Sequence, residues 1–199
     1  MTQDRVTAKR KIIVHIATSA DGYIARPDGD IEWLTDRPAP KGFYGIPAFE
    51  RSIDTILFGR KTFDVGLTMG ASFGGKTKNF VFSRQPPPPA VPSGVEFVTE
   101  PIPSFADRLR QGSGKNIWMM GGGEIIASFL DAGGIDEFII SVVPVFIGDG
   151  IPLIARRHRH VPLSLQSVTP FPDGVIQVHY HMPAGTGAPV RPSRAARQR

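Results

Sequence analysis

The chain has 199 residues, a formal net charge of +5, 41% hydrophobic and 21% charged residues, and no cysteine. That is the length of one domain with a sizeable core. The missing cysteines exclude disulfides, thiolate metal sites and the Pro-Cys-x-x-Cys pair of zinc nucleoside deaminases, and no apolar run nears the roughly 18 residues of a membrane span.

A polar segment, residues 1–10, is expected to be flexible. The β-branched run Ile12–Ile16 in "KIIVHIATSADGYIA" predicts a buried strand. Ser19 to Leu34, with two Asp-Gly pairs and a proline, predicts a long loop suited to a lid. A helix is expected from near Pro47, with Ile46, Phe49 and Ile53 on one face. A short strand, Thr55–Phe58, and a helix from Arg60 or Lys61 follow.

"KNFVFSRQ" is the next strand, and the prolines after it exclude a helix or inner strand. "VEFVT" is a short strand, and "SFADRLRQ" a short helix with Ser104 as its N-cap. "NIWMM" is a strand running into Gly121, Gly122 and Gly123, and "EIIASFLDAG" a helix closed by Gly133 and Gly134. "DEFIISVVPVFI" reads as a long apolar strand, and "LSLQSVTPFPDGVIQVHYHM" as a hairpin around Pro-Asp-Gly.

Strands alternating with helices, then strands alone, predict an α/β domain over residues 11–182, its sheet mostly parallel with an antiparallel C-terminal edge. Residues 183–199, rich in Pro, Gly, Ala and Arg, are expected to be a disordered basic tail. The other cations gather at Lys9–Lys11 and in "RRHRH", without a basic stripe carrying interleaved aromatics. A solvated surface is therefore expected in preference to a nucleic-acid footprint, and a soluble, cytoplasmic protein in preference to a membrane one. The histidines of "HRH" and "HYH" lack a third ligand, so no metal is expected.

Glycine costs roughly 0.5–1 kcal/mol against alanine in regular structure, so three in a row need a reason. A glycine turn from a strand into a helix N-terminus lets a phosphate approach bare N–H groups; tight packing without a ligand explains it equally well. Two further strand ends are similar. "FGRKTF" leads a glycine into Arg60, Lys61 and Thr62, and "FSRQ" offers Ser83 and Arg84. Three such ends point to a dinucleotide across the carboxyl edge of the sheet.

The segments "IATSADGYIA", "LFGRKTF", "FVFSRQ", "IWMMGGGEII" and "VFIGDGIPLI", in this order, resemble the dihydrofolate reductase-like family. That family includes the reductase domain of the bifunctional riboflavin-biosynthesis deaminase/reductase. The resemblance implies a three-layer fold around a mixed sheet of about eight strands, and an NADPH-dependent reductase. Its substrate would be a planar nitrogen heterocycle, pteridine-like or a ribosylaminouracil phosphate. It also implies a homodimer.

Carried over by position, Met120, Gly121, Gly122, Gly123, Glu124 and Ile125 would hold the cofactor diphosphate, with an unusual cis bond at Gly121–Gly122. Gly59, Arg60, Lys61, Thr62, Ser83 and Arg84 would serve the diphosphate, the adenine and its 2′-phosphate. Ala17 and Ile24 would line the nicotinamide, and Asp149 the closing loop. Gly45 stands where true dihydrofolate reductases carry a carboxylate, which argues against dihydrofolate as substrate. The catalytic candidates are Asp21, Glu50 and Ser141. Trp33 and Phe49 could wall the substrate, and Arg37 or Lys41 could meet a substrate phosphate. A dinucleotide-binding module without turnover is the alternative.

Overall fold

The computed structural model describes residues 9–183; residues 1–8 and 184–199, which hold most of the expected flexible N-terminus and basic tail, lie outside the described residues. Eight strands form one sheet: β1 (Ile12–Ser19), β3 (Ile53–Gly59), β4 (Lys78–Phe82), β5 (Val95–Val98), β6 (Asn116–Gly121), β7 (Glu137–Val143), β9 (Ser164–Pro170) and β10 (Ile176–His181). Their order is β5-β4-β3-β6-β1-β7-β10-β9. Pairing is parallel from β5 through β7, and β10 and β9 close the sheet antiparallel. This is the mostly parallel sheet with an antiparallel C-terminal edge that the chain order predicts.

Successive side chains on a strand face opposite ways, and here each face meets its own layer. Leu57, Phe80, Ile117 and Met119 join Phe105 of α4 (Ile102–Gln111) and Phe129 of α5 (Gly123–Asp131) in the larger core. Phe58 and Val81 face away from it and meet Phe63 of α3 (Arg60–Thr68). Phe63, Phe105 and Phe129 are fully buried, each contributing about 1.5–3 kcal/mol of burial. α5 ends as expected, with Gly133 in the left-handed region at φ +65°.

Four local expectations change. Ser104 is not the cap of α4: the helix begins at Ile102 behind Pro101, and Pro103 occupies a first-turn position where a missing N–H costs nothing. Ile53 does not extend the helix near Pro47: α2 (Ile46–Arg51) stops first and Ile53 opens β3. β7 ends at Val143, before Pro144. The long loop contains β2 (Tyr23–Ala25) and a helical turn, α1 (Glu32–Thr35). β2 pairs antiparallel with β8 (Ile151–Pro152) in a second, two-stranded sheet.

The amino ends of the strands are held by ionic networks. Arg10, assigned by sequence to the flexible N-terminus, is 8% exposed; it pairs with Asp54 and donates to Thr55 Oγ1 at 2.8 Å and to the Lys115 carbonyl at 2.6 Å. Arg110 meets Asp136 at 3.0 Å, and Lys11 meets the buried Glu137 at 2.6 Å. Burial pushes Glu137 up, but hydrogen bonds from Lys11 and His179 outweigh it and hold the carboxyl below its ordinary value. No helix among the described residues is long and apolar enough to cross a membrane.

Candidate functional site

The parallel register aligns the carboxyl ends of the central strands. Gly59 pairs with Phe82 and Phe58 with Gly121, so β3, β4 and β6 end together. The glycine turn sits among them. The nearest atoms to a Cβ added at Gly59 would be Ile125 Cγ2 at 3.3 Å and Gly122 N at 3.5 Å. One added at Gly122 would stand 3.2 Å from Thr62 Oγ1 and 3.7 Å from Ile24 Cδ1. The fold thus gathers Gly59, Thr62, Gly121, Gly122, Ile24 and Ile125 at one place.

The three glycines have three different reasons. Gly121 has φ +119°, the region that disfavours a side chain. Gly122 borders Thr62 and Ile24 of β2, and an added Cβ would press on the Thr62 hydroxyl. Gly123 is structural: a Cβ there would collide with the Pro152 carbonyl, and its own carbonyl accepts Ala155 N–H at 3.1 Å. The Gly121–Gly122 peptide bond is cis.

Other expected cofactor residues differ in how free they are. Lys61 and Arg84 are exposed and have no ion-pair or hydrogen-bond partner among the described residues. Arg60 already donates to Asp64 at 2.9 Å and to the Pro86 carbonyl at 3.2 Å, over the Phe97 ring. Ser83 turns the chain through Gln85, donating to its carbonyl at 2.8 Å and accepting its N–H at 3.0 Å. Asp149 accepts the Gly150 N–H at 2.8 Å within its own exposed loop. Met120 packs against the Phe58–Phe63 cluster. Glu124 points along α5 to Arg157, 3.1 Å away. Arg157 and Arg159 of "RRHRH" also pair with Asp131, at 2.7 and 2.9 Å, so much of that basic run is neutralised.

Asp21 holds the loop after β7. Its carboxylate accepts Gly148 N–H at 2.7 Å and Ile147 N–H at 3.2 Å. The Ser19 hydroxyl, then the Gly148 and Ile147 N–H groups, keep it below the ordinary carboxylate range against desolvation. Glu50 is exposed on α2. Ser141 is buried on β7, paired in register with Ala17 on one side and Gln177 on the other.

Around that row lies a cluster of polar side chains that the sequence does not announce. Gln177 Nε2 donates to Ser141 Oγ at 3.0 Å and to the Tyr44 carbonyl at 3.3 Å, and faces His15 Nε2 at 3.4 Å. Phe49 meets the His15 ring edge-on at 4.5 Å and Trp118 at 5.4 Å. Asp173, in the β9–β10 turn, accepts the Tyr44 hydroxyl at 2.6 Å, and its carbonyl accepts from Arg37 at 2.7 Å. His15 is 5% exposed. Burial, then the nearby His179, lower its pKa from 6.5 to about 4, so the ring is neutral near pH 7.

The comparisons with known proteins agree with this architecture. The model of the RibD C-terminal domain matches residues 93–177. The uncharacterized protein YwjB of Bacillus subtilis is 36% identical over 172 residues, covering 86% of this chain and 98% of its own. The chain belongs to the RibD C-terminal domain family. A solved protein of Shewanella sp. PV-4, provisionally named for riboflavin biosynthesis, is 30% identical, with a TM-score of 0.76 over 86% of this chain and 98% of that one. The dihydrofolate reductase of Enterococcus faecalis, solved with NADP(H), shares the fold at 17% identity and a TM-score of 0.62, over 87% and 96% of the two chains.

Within this RibD-type domain, sequence reasoning overlooked His15, Trp118, Gln177, Tyr44 and Asp173. One signal was available: His15 is the lone polar residue in the apolar run "IIVHIA". Gln177 and Asp173 gave none, because their partners lie far away along the chain, from 36 residues for Ser141 to 162 for His15.

Proposed function

We propose that the protein is a reductase of the riboflavin-biosynthesis type, which binds NADPH across the carboxyl edge of its sheet and reduces a planar nitrogen heterocycle beneath α1 and α2. The observation that carries this reading is the glycine turn at Gly122, bordered by Thr62 and Ile24, at strand ends that also carry the unpartnered Lys61 and Arg84. These residues fit a dinucleotide. Bare N–H groups and the Thr62 hydroxyl suit a diphosphate, and Lys61 and Arg84 suit the extra phosphate that separates NADPH from NADH.

NADPH, when bound, would supply the hydride. The chain's own residues would do the rest. Ala17, on the Ser141–Gln177 row, would leave room for a flat ring, and Phe49 with Trp33 would enclose it. Asp21 would hold the loop that covers the site, and the β2–β8 pair would keep water out. Of the catalytic candidates, Ser141 would orient Gln177, while Glu50 would need to turn inward from the surface of α2. The expected homodimer belongs to the same reading, and the edge strand β9 exposes Leu165 and Val168.

The test is NADPH oxidation against a panel of pteridines and aminopyrimidines. Turnover with any planar heterocycle is expected. Tight NADPH binding without consumption across the panel would favour a dinucleotide-binding module instead.

A further inference from the structure

Among the described residues, three buried side-chain atoms have no hydrogen-bond partner: His15 Nδ1, Trp33 Nε1 and Arg37 Nε. An unmet buried polar group costs about 1–3 kcal/mol, so three need an explanation. Trp33 lies in α1, and Arg37 follows just beyond its C-cap, Asp36. Arg37 and Tyr44 are both held by Asp173, the Tyr44 carbonyl accepts from Gln177, and Gln177 faces His15.

All three atoms are donors. Indole Nε1 and guanidinium Nε carry hydrogens always. For His15 the tautomer follows from its neighbour. The Tyr44 carbonyl can only accept, so Gln177 must present its NH₂ on that side. His15 Nε2 faces the same NH₂ and must offer its lone pair. The neutral ring then carries its proton on Nδ1, the atom without a partner. Asp173, the carboxylate tied to this network, is already occupied by Tyr44, Arg37 and Val175.

We infer that His15, Trp33 and Arg37 form a specificity-determining set of donors that receives the acceptor-bearing edge of the substrate. Ring carbonyls or an acidic substituent satisfy it; an edge of amino groups does not. The inference rests on the substrate pocket lying under α1 and α2, as proposed above. It goes further in assigning the hydrogen-bonding sense of that pocket and the atoms responsible.

The two tryptophans allow a direct test. Trp118 Nε1 already donates to the His15 carbonyl at 2.9 Å, whereas Trp33 Nε1 has no acceptor. The full-length protein with ¹⁵N-labelled indoles is titrated with barbiturate, which has an acceptor edge, and with 2,4-diaminopyrimidine, which has a donor edge. NADPH binding is measured on the same samples. Barbiturate is expected to bind at least tenfold more tightly and to move the Trp33 indole resonance more than that of Trp118. Trp33→Phe, which keeps an aromatic ring and loses the N–H, should weaken barbiturate about tenfold and leave NADPH affinity unchanged; His15→Leu should do the same.

Equal or tighter binding of diaminopyrimidine, barbiturate binding without a Trp33 response, or no binding of either ring would overturn the inference. The outcome for NADPH is separate. Cofactor binding without barbiturate binding would remove the donor set and leave the reductase reading, and a Trp33 response without cofactor binding would do the reverse.

Discussion

The two ends of the sheet treat polar groups in opposite ways. At the amino ends, charges are paired with one another: Arg10 with Asp54, Arg110 with Asp136, and Lys11 and His179 with Glu137. Two surface cavities of about 190 and 590 Å³ open at that end; the paired Arg10 and Asp136 line the smaller, and the paired Arg108 lines the larger together with Lys76 and Lys78, exposed cations without a partner among the described residues. At the carboxyl ends, Lys61 and Arg84 stand unpaired, and three buried donors on β1, on α1 and just beyond α1 lack acceptors. A paired network has little left to offer a ligand, and an unmet buried donor has more.

The contrast can be broken by mutation at either end. Arg10→Ala leaves Asp54 and Thr55 without their cation, and about 4 kcal/mol of stability should be lost. NADPH affinity of the folded fraction should not change; denaturant melts and titration on the same sample check both. Gly123→Ala puts a methyl group into the Pro152 carbonyl, where backbone must move. It should lose about 3 kcal/mol and, unlike Arg10→Ala, should also weaken NADPH, because the same turn carries Gly122. If Gly123→Ala melts like the wild type, the packing role given to this glycine is wrong.

His15 supplies a pH-dependent version. Its folded-state pKa of about 4 lies below the unfolded value of 6.5. Between those values the unfolded chain takes up a proton that the folded one refuses, so stability falls as pH drops through this window. The loss is at most about 3 kcal/mol, and a non-titrating His15→Gln should not show it. Parallel stability–pH curves for wild type and variant would contradict a buried neutral imidazole. The smallest stability effect is expected at the open end. Lys61→Ala with Arg84→Ala should alter stability by less than about 0.5 kcal/mol yet weaken NADPH by tenfold or more. A thermal shift without an affinity change would reverse the assignment.

What the sequence made legible follows the same division. The alternation of strands and helices, the antiparallel edge and the glycine turn were readable because each rests on local pattern: β-branched runs, a proline block, and glycines between a strand and a helix. Gly123 could not be told from Gly122, since its constraint comes from Pro152, brought up by the pairing of β8 with β2. The sequence favoured Asp21 as a turn residue over a catalyst, and its bonds to Ile147 and Gly148 appear only once the loop after β7 folds back. Arg60 looked as free as Lys61, and differs from it because Asp64 lies one turn further along α3. The polar cluster of His15, Ser141 and Gln177 depends on the register of three strands separated in sequence.

The most direct test of the central claim is a fluorescence titration of the wild-type protein with NADPH and NADH. Micromolar binding of NADPH, with NADH at least tenfold weaker, is the predicted result. Absence of binding by either nucleotide would mean that the glycine turn and its cations serve the fold alone, and the reductase account would be contradicted.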